Sequence, residues 1–169
     1  MNSNFKFFLI SIRKFLSNSW EKGTNIDDLT VFFAVLIGSC AHLSFYFIFK
    51  FFFELQESFF MRFIAVILSF ILTFLYLKRT AYRKFFLELY WHVMLIWILP
   101  FVFTYNLLVN DFHELWLYWE IFMIFVLILY VPHWFMLIIN LVIGVVLAMT
   151  SYFMMYGSFA SLDFSQFNY

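Results

Sequence analysis

Five long apolar stretches follow one another along this chain of 169 residues and leave few folds open to it. A helix needs about 17 to 25 predominantly apolar residues to cross the hydrocarbon core of a bilayer. The stretches have that length, and their apolar residues run continuously instead of alternating, so they predict helices and not the strands of a membrane barrel. They cover residues 29–53, 59–77, 85–109, 115–131 and 134–156.

The balance of apolar and charged residues supports the same fold class. Apolar residues make up 66% of the chain and charged residues 12%, whereas a soluble domain has about half and about a quarter. So few charges cannot cover a water-soluble globule, and we expect the apolar surface to face lipid. The sequence therefore predicts an all-α, polytopic transmembrane helical bundle with five spanning helices. It shows no basic stripe of the kind that binds nucleic acid, so we expect no nucleic-acid partner.

The segment before the first span, residues 1–24, has the period of an amphipathic helix. Lys6, Arg13 and Lys14 fall away from its apolar face. This pattern predicts an N-terminal helix that lies in the membrane interface with its cations toward lipid headgroups. A helix packed on a soluble domain is the alternative. The apolar face comprises Phe5, Phe8, Leu9, Ile12, Phe15, Leu16 and Trp20.

Lysine and arginine are distributed unevenly among the segments that connect the spans. Eight of the ten precede the first span or lie between the second and third, and only Lys50 and Arg62 fall on the opposite side. The positive-inside rule then places the N-terminus in the cytoplasm and Tyr169 outside. We expect residues 158–169 to be an outer loop that leads to a sixth span beyond this sequence. A complete five-span protein is the alternative.

Polar side chains at membrane depth are costly, so each one marks a candidate site. His42 lies in the middle of the first span, either hydrogen-bonded between helices or as an anchor for a ligand head group. Glu88 and His92 are four residues apart on the third span. Glu88 fits an interfacial ion pair with Arg83 or Lys84, while His92 lies deeper.

Two further positions in the third span bear on a site. Pro100 removes the hydrogen bond to the carbonyl of Ile96, which predicts a kink that opens space between neighbouring helices. Asn106 lies about two turns further out. On the fifth span, a stripe at a spacing of four contains small residues, which predicts close helix packing. The stripe comprises Asn140, Gly144, Ala148 and Tyr152.

The fourth span opens with Trp116, Trp119 and Glu120. Tryptophan at this depth commonly belongs to an interfacial belt, but the belt does not explain the carboxyl group. We expect Glu120 to be neutral, or paired with a polar group of another helix such as His42 or His92. The histidines and the single cysteine have no HExxH or CxxC spacing, so we expect no metal site and no catalytic residue.

Residues 98–116 read ILPFVFTYNLLVNDFHELW. This stretch resembles the membrane sensor domain of the quorum-sensing histidine kinases that detect α-hydroxyketone autoinducers. The shared features are the LPF step, the outer turn at Asn110 and Asp111, and Trp116 shortly after it. The resemblance extends from about His42 to Gly157, and the run of residues 90–92 looks closer to the Legionella branch of that family.

The resemblance implies a place for this chain in a larger protein of the bacterial inner membrane. Residues 25–157 would form the transmembrane sensor domain of a two-component sensor histidine kinase. A sixth span, a phosphoacceptor helix and a kinase domain that binds ATP and Mg would follow in the cytoplasm, so we expect no cofactor in this chain. The implied partners are the lipid bilayer, a second copy in a homodimer, and a response regulator reached through the cytoplasmic part.

The implied ligand is a small α-hydroxyketone, which has a polar head and an alkyl tail. It requires an apolar, aromatic pocket with a few convergent polar groups. A stand-alone small multi-pass transporter, a channel subunit or a membrane adaptor is the alternative function, although repeated broken helices are not visible in the sequence. The candidate ligand-binding residues are Trp116, Trp119, Glu120, His92, His42, Asn106 and Pro100.

Overall fold

The computed structural model describes residues 3–23, 28–77 and 84–157, which form seven α-helices and one π-helical turn and contain no strand. The π turn, Trp97–Phe101, joins α4 to α5 without a break. The predicted all-α fold is confirmed. The helices are α1 Ser3–Gly23, α2 Asp28–Phe51, α3 Phe59–Leu77, α4 Lys84–Ile96, α5 Val102–Val109, α6 Glu114–Tyr130 and α7 Trp134–Tyr156.

Four helical segments among the described residues are long and apolar enough to cross a membrane, which indicates a membrane protein. They are Thr30–Phe52, Phe59–Leu77, Phe85–Val109 and Trp134–Tyr156. The third segment comprises α4, the π turn and α5. The remaining apolar helix, α6, has 17 residues and so stands at the lower limit for a span. The predicted count of five spans stays a prediction.

The third segment forms the centre of the bundle. Of its most apolar window, 78% is buried inside the protein, compared with 22–28% for the other three segments. It packs against α3, α6 and α7, and Trp91, Leu95 and Phe103 contribute to the core along its length. The surrounding helices expose large apolar side chains, including Phe70 and Phe125. A continuous central helix thus lies among helices whose outer faces suit lipid.

The π turn and α7 approach each other closely around Pro100. A proline ring clashes with the carbonyl four residues earlier, and an inserted residue is one way in which a helix accommodates it. The kink was predicted to open space, but the Pro100 ring is buried and occupies a notch over Gly144. A β-carbon at Gly144 would lie 2.4 Å from Pro100 Cγ. The predicted close packing along the α7 stripe is confirmed, because its four residues are buried.

The first helix contacts the beginning of α7. The ring of Phe15 packs edge-on against Phe135, with 5.1 Å between the centroids. Leu16 is exposed, as are Arg13 and Lys14. The location of α1 in the membrane interface stays a prediction. The basic connection was predicted at residues 78–84, and the structure places its last residue, Lys84, at the start of α4. Residues 78–83 and the predicted outer loop at residues 158–169 lie outside the described residues.

Candidate functional site

A buried arginine in the first turn of α3 organises the polar interior of the protein. Arg62 has no exposed surface, and its guanidinium pairs with Glu57 in the connection that precedes α3. Nε donates to Oε2 at 3.1 Å and a terminal nitrogen donates to Oε1 at 2.5 Å. The two side chains are both 0% exposed. This bidentate pairing supplies the compensation that a buried charge requires.

His42 and Asn106 bring two more helices to this pair. A terminal nitrogen of Arg62 lies 3.0 Å from His42 Nδ1. Because a guanidinium only donates, Nδ1 must accept, and the ring proton is carried by Nε2. Asn106 Nδ2 donates to Glu57 Oε1 at 3.3 Å. Arg62, Glu57, His42 and Asn106 are called the Arg62 cluster below. Their hydrogen bonds link α2, α3 and α5.

Aromatic rings enclose the guanidinium of Arg62. Its central carbon lies 5.3 Å from the ring centroid of Phe103, 5.7 Å from that of Trp116 and 5.8 Å from that of Phe45. Cation–π attraction of this kind stabilises a charge that is removed from water. Trp119 packs against Phe45 with 4.6 Å between centroids. The two tryptophans predicted to bind ligand therefore contribute to the packed wall around Arg62.

The turns on either side of Glu57 hold its backbone in place. Asn110, between α5 and α6, exchanges two hydrogen bonds with the backbone of Gln56: the Gln56 N–H donates to Oδ1 at 2.8 Å, and Nδ2 donates to the Gln56 carbonyl at 2.9 Å. Ser58 accepts a hydrogen bond from the Met61 N–H and caps α3. Glu57 lies between these two fixed points. Its backbone is therefore tied to the central segment on one side and to α3 on the other.

A cavity of about 720 Å³ lies beside the Arg62 cluster, between the start of α3, the central segment and the end of α7. The polar residues Gln56 and Ser58 line one end of it, where Glu57 and Asn106 also lie with their side chains buried. Most of the remaining wall is apolar or aromatic. Its size and lining are typical of small-molecule sites, which measure about 300–1,000 Å³. The apolar wall includes Met61, Trp97, Phe101, Tyr105, Leu147 and Met154.

The structure brings together some of the predicted ligand-binding residues and separates others. Asn106 lines the cavity, and His42 lies behind it in the Arg62 cluster. Pro100 lies apart, packed on Gly144. His92 lies between α4 and α7, where its Nδ1 is 2.9 Å from Asn140 Nδ2. A role in ligand binding stays a prediction for each of these residues.

Glu120 hydrogen-bonds to a polar group of another helix. Thr104 Oγ1 on α5 donates to Glu120 Oε1 at 2.8 Å. The predicted pairing of Glu120 with a polar group of another helix is therefore confirmed. The two histidines given as examples have other partners, His42 with Arg62 and His92 with Asn140. The prediction that Glu88 pairs with Arg83 or Lys84 falls on side chains outside the described residues.

Sequence reasoning missed the two central charges, Arg62 and Glu57. Arg62 was counted as a cation of an outer connection, whereas the structure places it inside α3 and fully buried. A signal was present, because Arg62 lies within the apolar stretch 59–77, and a charge within a span marks a candidate site. Within the described ranges, no group of three or more histidine, cysteine or acidic residues is placed to hold a metal ion.

Comparison of the chain with protein-family models, with curated proteins and with solved structures finds no match.

Proposed function

We propose that this chain is the membrane-embedded ligand-sensing domain of a two-component sensor histidine kinase, and that it responds to a small lipophilic α-hydroxyketone in quorum sensing. The cavity beside the Arg62 cluster is the observation that carries this proposal. Its apolar wall suits an alkyl chain, and the polar residues Gln56 and Ser58 at one end suit the oxygen atoms of the head. The sequence resemblance over residues 98–116 supplies the ligand class.

The head group decides where such a ligand binds in a membrane. An alkyl chain gains little by moving from lipid into an apolar cavity, because lipid tails are equally apolar. A hydroxyl and a ketone in hydrocarbon lack hydrogen-bond partners, which costs several kcal/mol. The polar end with Gln56 and Ser58 relieves that cost. The cavity therefore selects an amphiphile by its head and accommodates its chain.

Signalling follows from the three separate elements that form the cavity wall. The start of α3, the central segment and the end of α7 all contribute to it. A ligand that fits one relative arrangement of these helices better than another shifts the populations of the two. To change the ratio of the two arrangements from 1:99 to 99:1, the ligand must bind one of them more tightly than the other by about 5.5 kcal/mol. In the proposed homodimer, this shift changes the activity of the ATP- and Mg-dependent kinase domain. The change in kinase activity then alters phosphorylation of the response regulator.

The proposed topology places five spans in the bacterial inner membrane, with α6 as the fourth and the N-terminus in the cytoplasm. The 17 apolar-rich residues of α6 support this count. The proposal also places α1 in the membrane interface. Its exposed apolar side chains, such as Leu16, and its exposed cations Arg13 and Lys14 support that location.

Ligand binding to the purified chain in lipid nanodiscs tests the proposal. A radiolabelled α-hydroxyketone with a long alkyl chain is titrated, with empty nanodiscs as the reference for partition into lipid. Ser151 lines the cavity, whereas its neighbour Thr150 is exposed on α7. We expect Ser151→Phe to fill the cavity and weaken binding at least about tenfold, which corresponds to about 1.4 kcal/mol.

Thr150→Phe is the matched control, since it adds the same ring one residue away on the same helix. We expect its affinity to stay within about twofold of the wild type, because surface substitutions rarely change energies by more than about 0.5 kcal/mol. Binding that never saturates above the lipid background, or equal affinity in the wild type and Ser151→Phe, would refute the proposed function.

A further inference from the structure

The cavity beside the Arg62 cluster has a floor and two walls that belong to different helices. Phe101, Tyr105 and Asn106 of the central segment form the floor and are at most 4% exposed. The start of α3 forms one wall, and residues of α7 between 147 and 156 form the other. Because α3 packs mainly on α2 and α4, and α7 mainly on the central segment, the two walls are joined through the floor.

Hydrogen bonds tie each wall to the floor. Trp97 Nε1 donates to the Met61 carbonyl at 3.3 Å, which holds the start of α3 on the central segment. The Tyr105 hydroxyl donates to Met155 Sδ at 3.0 Å, which holds the end of α7 on the same segment. Neither of these two bonds crosses the cavity from α3 to α7. They fix the width of the cavity from below and leave its contents free to change.

The rim of the cavity, formed by Phe60 on α3 and by Leu147 and Met154 on α7, is apolar and exposed. Phe60 is 68% exposed, and Leu147 and Met154 are 45% and 80% exposed. Contact of such side chains with water is unfavourable, whereas lipid tails are as apolar as they are. At the end next to the α2–α3 connection, by contrast, two hydrogen bonds join the Gln56 backbone to Asn110. The rim therefore suits an opening toward lipid, between α3 and α7.

Helix geometry places this rim at the depth of lipid tails. Leu147 and Met154 come nine and two residues before Tyr156, the last residue of α7. With a rise of about 1.5 Å per residue, the rim extends from about 3 to about 14 Å below the end of the helix. The α7 segment is long and apolar enough to cross a bilayer, whose hydrocarbon core is about 30 Å thick. A spanning α7 thus presents the rim to one half of the bilayer.

We propose that amphiphiles enter the cavity sideways from the bilayer, through the opening between α3 and α7, and that Phe60 and Met154 form the edges of this opening. The proposal rests on the proposed function, because the amphiphile is the ligand of the same cavity. An amphiphile with a long alkyl chain is concentrated in lipid, because each CH₂ group gains free energy when it leaves water. Lateral entry keeps the chain in an apolar environment throughout, and only the head changes its partners.

Spin-label accessibility tests the direction of the opening without any ligand. The single cysteine, Cys40, is first replaced by serine, and a nitroxide is attached to Ser151→Cys in nanodiscs. Ser151 lines the cavity, whereas its neighbour Thr150 is exposed on α7, so a label on Thr150→Cys is the reference for contact with lipid. A label on Glu54→Cys, at an exposed position of the α2–α3 connection, is the reference for contact with water. Collisions with oxygen, which dissolves in lipid, are compared with collisions with a water-soluble nickel chelate.

The measured quantity is the ratio of oxygen to chelate collisions. We expect the ratio at Ser151 to lie within about twofold of that at Thr150 and to exceed that at Glu54 at least about fivefold, because the hydrocarbon excludes water and the chelate. A ratio at Ser151 equal to that at Glu54 would mean that the cavity opens to water. Few collisions with either reagent at Ser151 would mean that another helix or a second copy covers the opening. Either result overturns lateral entry and leaves the proposed function intact.

Binding kinetics test the edges of the opening. Met154→Trp enlarges an edge side chain, and Met149→Trp makes the same change at an exposed position of α7 that does not line the cavity. We expect Met154→Trp to lower both the association and the dissociation rate of the α-hydroxyketone at least about threefold, because the ligand passes the edge in both directions. Phe60→Ala shortens the opposite edge and should raise both rates, and Met149→Trp should keep both within about twofold of the wild type.

The kinetic outcomes separate this proposal from the one on which it rests. Rates in Met154→Trp equal to those of the wild type, or a change in only one of the two rates, overturn the role of the edge and leave the proposed function intact. If the hydroxyketone does not bind the wild-type chain saturably above the lipid background, both proposals are overturned.

Discussion

Replacement of Gly144 by alanine tests the closest contact between the central segment and α7. The added β-carbon would lie 2.4 Å from Pro100 Cγ, 2.6 Å from Pro100 Cβ and 3.0 Å from the Phe101 nitrogen. Carbon atoms in contact prefer about 3.5–4.0 Å, so the two helices must separate by roughly 1 Å. The proline ring cannot rotate away as a flexible side chain would, because it is closed onto the backbone.

Gly38 provides the matched control. A β-carbon there meets only Ile98 Cδ1, at 3.9 Å, which is an ordinary contact. Both glycines lie inside helices, so the favourable helix propensity of alanine, about 1 kcal/mol, applies to both variants and cancels in the comparison. Overpacking of a well-packed core costs about 1–3 kcal/mol. We therefore expect Gly144→Ala to be about 1–3 kcal/mol less stable than Gly38→Ala.

Reversible unfolding in mixed detergent micelles measures this difference. The free energies of unfolding of the two alanine variants and the wild type are compared at equal micelle composition. If Gly144→Ala were as stable as Gly38→Ala, Pro100 would not lie in the notch on α7, and the account of how the π turn is packed would fail.

Two further substitutions test the polar interior. Arg62→Met leaves Glu57 buried without its partner, so we expect a loss of about 3–5 kcal/mol in unfolding free energy. Lys50→Met, at an exposed cation, is the control and should change the unfolding free energy by less than about 0.5 kcal/mol. Similar losses in both variants would contradict the buried pair. Thr104→Val removes the hydroxyl that donates to Glu120, so we expect a loss of about 1–3 kcal/mol in the same unfolding measurement. Because neither Thr104 nor Glu120 lines the cavity, hydroxyketone affinity should stay within about twofold, and a larger change would contradict the placement of the site.

The long apolar helices could be predicted because length and continuity determine them locally. Residues 59–77, 85–109 and 134–156 were predicted as spans, and the structure has helical segments with the same limits. The π turn could not be predicted in this way. Pro100 indicated a distortion, but its form depends on the notch at Gly144, 44 residues later in the chain. Local sequence does not specify contacts of that separation.

The candidate site, too, could be predicted only in part. His42, Asn106, Trp116 and Trp119 were identified because polar and aromatic groups at membrane depth require an explanation, and they lie in or around the Arg62 cluster. Arg62 was missed because an arginine in the first turn of a span can extend to the interface or turn inward. The choice depends on partners from other elements, which local sequence does not reveal.

Photoaffinity labelling tests most directly whether the cavity binds the proposed ligand. An α-hydroxyketone with a diazirine in its alkyl chain is irradiated with the purified chain in nanodiscs, and labelled positions are mapped by mass spectrometry. The account predicts labels on the π turn, Trp97–Phe101, and around Leu147 and Ser151, which excess unlabelled hydroxyketone removes. Labels confined to exposed residues such as Phe125, and unaffected by the competitor, would contradict it.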